Sequence, residues 1–217
     1  MIISNHFVIS GFLSCILFLF YSKVTNTEKL YNLLTLLLVL NFLSFNIYLF
    51  STGNFDYKIH LPLHLCYLAE LGILISILFK NKKLYPWLAL NSLGGGITGF
   101  TNSNLLPDSM FIEYTHLYLG HFNLLLFSII VYKDKLIVSK KNYVQSIALN
   151  GLLFILILFF NEIFKSNYWF TNYKPPGSNL TNLLPAWPGY LLVLIMIGFI
   201  SYYLTFKLFL KNKESMN

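Results

Sequence analysis

Residues 60–66 read HLPLHLC, and the chain runs on as YLAELGILISILF over 67–79. Two histidines and a cysteine stand around a proline at the start of an apolar run. The run over 61–79 is near the 18–20 residues that cross about 30 Å of hydrocarbon. This heptapeptide therefore lies at the mouth of a membrane helix, with Glu70 one turn further on.

The rest of the chain supports that setting. Of its 217 residues, 56% are hydrophobic and only 11% charged, where a soluble domain carries about a quarter charged. Mean hydropathy is +0.64. Apolar runs predict seven spans, about 6–22, 29–50, 61–79, 84–104, 111–132, 143–164 and 186–209. The expectation is an all-α, seven-transmembrane helical bundle forming one domain over 1–217. The longest connection is about 165–185. The first span lacks a basic segment before it and a small-residue cleavage site after it, so it is expected to be retained.

Charge predicts orientation. All fifteen basic residues are lysine. Seven spans put twelve of them on one side: Lys23, Lys29, Lys80, Lys82, Lys83, Lys133, Lys135, Lys140, Lys141, Lys207, Lys211 and Lys213. Three, Lys58, Lys165 and Lys174, fall on the other. Positive charge is retained in the cytoplasm. The N terminus is thus expected outside and the C terminus in the cytoplasm, in a multi-pass protein of the cell membrane. The net charge of +7 follows from this sorting. No basic groove with interleaved aromatics points to nucleic acid. Cys15 and Cys66, the only cysteines, do not suggest a disulfide framework.

With depth assigned, the polar residues concentrate in the outer half. His6, His60, His64, Cys66, Glu113, His116, His121, Asn161 and Glu162 all fall there. Ionisable groups in a membrane usually face a bundle interior or a wet cavity, so an outward-facing polar pocket is expected. Helical spacing places His60 and His64 on one face, and Cys66 and Glu70 on another. Pro62 would occupy the first turn of the third span. Asn91, Gly95, Thr98 and Asn102 form a stripe in the fourth span, read as close helix packing. The alternative is a helix broken at Gly94–Gly96 to present backbone groups to a cavity. His6, Ser10 and Ser14 form a second stripe, read as interhelical bonding. Lys174 begins KPPG (174–177), a stiff stretch that forms an ordinary rigid loop or caps the pocket near lipid phosphate.

Three chemistries fit such a pocket. Cys66 is the candidate nucleophile of an acyl-transfer site. A thiol in apolar surroundings needs a base to activate it, and Glu70, Asn91 or Asn161 is a candidate to orient an imidazole base. The second reading is a non-catalytic seven-helix module binding lipid or a small solute. No lysine lies mid-way in the last span, so a retinal Schiff base of the opsin kind is not supported. The third is a metal site from His60, His64, His116 or His121 with Cys66. That signal is weak, because Pro62 disturbs the turn and no HExxH-type acid accompanies it. No metal or other cofactor is expected. Membrane lipid is the expected substrate or ligand.

The order LPLHLC (61–66), GHF (120–122) and NYWFTNYKPPGSNLTNLLPAWPGYLL (167–192) resembles the YwaF-type bacterial integral membrane family, which includes eukaryotic transmembrane protein 164. The family pattern is LPLHLC…SH…NYMFL..KPP….LLGPWP.Y. The likeness runs from about 61 to 192, and its most specific part is the KPP-to-PWPxY segment. This chain departs with Ala186 before Trp187, Gly189 before Tyr190, and Gly120 before His121. The resemblance implies a lipid acyltransferase fold using a cysteine and a histidine, by motif Cys66 and His121. It also implies kinship with more distant membrane ester hydrolases that use a threonine and a histidine. His64, Glu70, Asn91, His116, Asn161, Glu162, Lys174 and Tyr190 are the expected pocket or supporting residues.

Overall fold

The computed structural model describes residues 2–177 and 179–211; Lys213 of the charge count lies outside them. Among these residues seven α-helices occur in this order: α1 Ile2–Lys23, α2 Thr27–Ser51, α3 Leu65–Leu78, α4 Tyr85–Thr101, α5 Phe111–Lys133, α6 Lys140–Phe164 and α7 Gly189–Lys211. Among the described residues there is no strand. Helix starts follow local chemistry. Asn26 accepts from the Lys29 N–H to cap α2, Ser139 and Asn142 cap each other's backbone at α6, and a proline opens α4.

Helices α4 and α5 form the centre. They pack on each other, and α1 and α3 touch both; α2 also packs on α5, and α6 and α7 on α4. Leu88, Ala89 and Leu90 of α4 and Leu124, Leu126 and Phe127 of α5 are at most 1% exposed. The rim helices turn Phe7, Phe12, Phe18, Phe159, Ile163 and Ile200 outward, as lipid-facing helices do. Helices α1, α2, α5, α6 and α7 are long and apolar enough to cross a membrane.

The third and fourth spans differ from expectation. Helix α3 covers 65–78, not 61–79, and α4 covers 85–101, not 84–104. Residues 60–64 are not helical. Pro62 thus precedes the helix rather than sitting in its first turn, and His60 and His64 share no helical face. Proline disfavours helix at the residue before it. The freed backbone is held from elsewhere: Leu61 N–H donates to the Tyr168 hydroxyl at 2.9 Å, and Trp169 Nε1 donates to the Leu63 carbonyl at 2.7 Å. The glycine triplet does not break α4. The packing reading holds for Asn91 and Gly95, which meet neighbouring helices, but Thr98 is exposed and bonds back to the Gly94 carbonyl of its own helix.

Candidate functional site

The site is built on the glycine face of α4. Gly95 and Gly99 are four residues apart and share a face. A Cβ at Gly95 would lie 3.0 Å from the Cys66 Sγ of α3. A Cβ at Gly99 would fall on the His121 imidazole of α5, and one at Gly96 would meet Leu125 at 2.5 Å and the His121 carbonyl at 3.1 Å. Thiol and imidazole therefore rest on one helix face, about 6 Å apart along its axis. Among the described residues no hydrogen bond joins Cys66 to a histidine.

His121 has a defined tautomer. Its Nδ1 lies 2.7 Å from the Leu117 carbonyl oxygen. A carbonyl only accepts, so Nδ1 carries the proton and Nε2 keeps its lone pair. Other histidines surround this ring: His64, His116 and His6 are all within electrostatic range of His121. His6 pairs through Nδ1 with the Tyr118 hydroxyl at 2.9 Å. It also faces the Gly99 and Phe100 carbonyls, which lie where a helix end leaves carbonyls unpaired. The interhelical reading holds for His6. Ser14 instead bonds back to the Ser10 carbonyl of its own helix.

The 165–188 connection closes over this end. His64, at the start of α3, accepts from the Trp169 N–H at 3.4 Å and packs on the rings of Tyr168 and Phe170. Asn161 is spent on the loop: it bonds both backbone groups of Tyr168 and the hydroxyls of Ser166 and Thr171. Tyr190 donates to the Phe170 carbonyl at 2.6 Å, and Lys174 Nζ to the Leu184 carbonyl at 2.7 Å. These three bond within the cover rather than to His121, and KPPG lies in that connection. Burial pushes the Tyr168 phenol up to about 12. It therefore stays protonated at neutral pH and donates to the Tyr57 carbonyl at 2.7 Å. Glu162 is exposed and pairs with Lys165 at 2.8 Å. His60 accepts the Asp56 N–H at Nδ1, and its Nε2 faces Glu113 at 3.8 Å, at the rim.

Behind Cys66 lies a second polar group. Glu70, 3% exposed, accepts from Asn41 Nδ2 at 3.1 Å. The Asn41 oxygen is 3.1 Å from His116 Nδ1, so that nitrogen is the donor. Phe45 stacks on the His116 ring at 4.0 Å. A Cβ at Gly120 would stand 2.5 Å from Glu70 Oε1, so glycine beside His121 makes room for the acid. Asn91 is not part of this assembly. It lies two turns before Gly99 and joins Trp87, Asn150 and Tyr202 between α4, α6 and α7.

Among the described residues, no three His, Cys, Asp or Glu side chains converge to hold a metal ion. A groove of about 420 Å³ runs between α4 and α7, past Gly94, Ile97, Ile200 and Ser201. A smaller cavity of about 240 Å³ lies between Leu93, Ser128 and Tyr132. Neither is lined by Cys66 or His121. Sequence reasoning missed Gly99, Gly120, Asn41 and Asn123. The G-x-x-x-G spacing of 95 and 99 was the available signal for the first, and asparagines inside apolar runs for the last two.

A family model described as the TMEM164 family matches residues 1–206, and the chain belongs to that family. No curated protein and no solved structure matches it.

Proposed function

We propose that this protein is an intramembrane lipid acyltransferase or ester hydrolase, with Cys66 as nucleophile and His121 as general base. The observation that carries the reading is the shared glycine face. It sets a thiol and an imidazole with a bare Nε2 one helical turn apart. Cys66 Sγ attacks a phospholipid ester carbonyl, forming the S–C bond, and the C–O bond to the alcohol breaks. The thiol proton passes to His121 Nε2 and then to the leaving alkoxide. A second alcohol, or water, attacks the thioester. Its proton passes through the same nitrogen to the departing thiolate. Substrate binding would tighten the Cys66–His121 approach, as catalytic contacts are often long in free enzymes.

In this reading all seven helices span the cell membrane, α3 and α4 with help from their flanking segments. The lysine bias puts the histidine end outside, so the acyl donor is a lipid of the outer leaflet.

The test is turnover of labelled phospholipid by purified protein in vesicles. Acyl transfer or release that is lost in Cys66→Ala and His121→Ala, with folding intact, supports the enzyme. Unchanged turnover in Cys66→Ala removes the thioester mechanism. The gap between Cys66 and His121 favours a second reading, a lipid-binding module. Stoichiometric lipid capture without turnover would establish that one.

A further inference from the structure

Glu70 lies in the bundle with little to hold a negative charge. It sits between α2, α3 and α5, 3% exposed, and among the described residues it joins no ion pair. Its one hydrogen bond of ordinary geometry comes from Asn41 Nδ2. The titratable groups around it are Cys66 and Tyr67 on its own helix and, across Asn41, His116 of α5. A carboxylate here would lack a countercharge, and an unpaired buried charge is among the costliest features a membrane bundle can carry.

A second observation supplies the missing partner. Asn123 of α5 is fully buried, with both its side-chain oxygen and its nitrogen unpaired, and it faces Glu70. A carboxamide offers one acceptor and one donor in a fork. A neutral carboxylic acid is its complement, with one O–H to give and one carbonyl to receive. A carboxylate is not, because it has no proton for the amide oxygen.

We propose that Glu70 is held as a neutral carboxylic acid paired with Asn123. Its Oε1–H donates to Asn123 Oδ1, and its Oε2 accepts from Asn41. Glu70 stands four residues from Cys66 on α3, where side chains are neighbours about 5–6 Å apart. As an acid it places no negative charge beside the thiol. On the acyl-transfer reading, on which this consequence rests, Glu70 is a positioning residue that leaves formation of the Cys66 thiolate unopposed.

The experiment uses the full chain in lipid nanodiscs. The infrared difference spectrum of wild type minus Glu70→Gln at neutral pH is expected to show a protonated-carboxyl stretch lost in the variant. Carboxylate stretches in its place would overturn the proposal. Asn123→Leu is expected to shift that stretch, and an unmoved band would overturn the pairing. Alkylation of Cys66 by a membrane-permeant maleimide is expected to stay within about threefold of wild type in Glu70→Gln. Removing a real charge at this range would speed it at least about tenfold, which would also overturn the proposal. So would sodium-dependent thermal stabilisation of wild type that Glu70→Gln abolishes, since it would place a cation where we place a proton. None of these readouts needs lipid turnover, so they stand apart from the fate of the acyl-transfer reading.

Discussion

The two halves of α4 bond their asparagine and histidine side chains differently, although the buried Ser92 hydroxyl of the N-terminal half is also unpaired. Toward its N-terminal end, Asn91 donates to the Trp87 carbonyl and the Tyr202 hydroxyl and accepts from Asn150, which accepts in turn from the Trp87 indole. Each side-chain group of Asn91 is engaged, and the set closes on itself across three helices. Toward the C-terminal end, His121 keeps Nε2 bare and His6 Nε2 is unpaired. A closed network holds helices together. An open one holds side chains ready for something that arrives. Unsatisfied buried polar groups are rare in native structures, and each one calls for a partner.

The largest expected effect tests the open half. Cys66→Ala or His121→Ala should lower acyl transfer by about 10²–10⁴-fold while leaving thermal stability in detergent near wild type. A drop in stability with no drop in turnover per folded molecule would reverse the assignment of the two halves. Gly99→Ala comes next, because its Cβ would collide with the His121 ring. Overpacking of this kind costs about 1–3 kcal/mol. Turnover should fall too, as the imidazole is displaced from the α4 face.

The closed half answers differently. Asn91→Leu strips Asn150 and Tyr202 of partners and should cost about 1–2 kcal/mol in unfolding experiments, with turnover per folded molecule retained. The smallest effect is expected at Gly198, where a Cβ would meet nothing within 4 Å. Gly198→Ala should change stability by less than about 1 kcal/mol and leave transfer untouched. A large loss there would show that α7 meets a surface outside this chain.

Much of the architecture was legible because membrane helices write themselves as long apolar runs. All seven helices fall where the runs predicted, and α1, α2, α5, α6 and α7 match within a few residues. The misjudged segment was 60–64, where hydropathy continues but the backbone does not coil. The aromatic side chains that satisfy this backbone, Tyr168 and Trp169, lie over a hundred residues away, and apolar periodicity carries no trace of them. The site was legible to the same degree. Residue type and helical spacing put Cys66 and Glu70 on one face, and the family motif, not spacing, pointed to His121 among the histidines. They could not show that Asn161, Tyr190 and Lys174 serve the loop, nor that Asn91 belongs to the other half. Those assignments depend on which helices are neighbours, and a single sequence of apolar runs does not encode that.

The shortness of α3 has a consequence for where lipids must come. Its 14 residues rise about 21 Å, against about 30 Å of hydrocarbon. A helix that short cannot present Cys66 at the water boundary while its other end stays at the opposite one. Its flanking segments make up part of the difference, and local thinning of the bilayer makes up the rest, at a small cost for each ångström of mismatch. On the acyl-transfer reading, bilayer thickness becomes a variable of turnover. Lengthening the host lipid acyl chains should carry the ester linkages away from the Cys66 level, and shortening them should bring the two together.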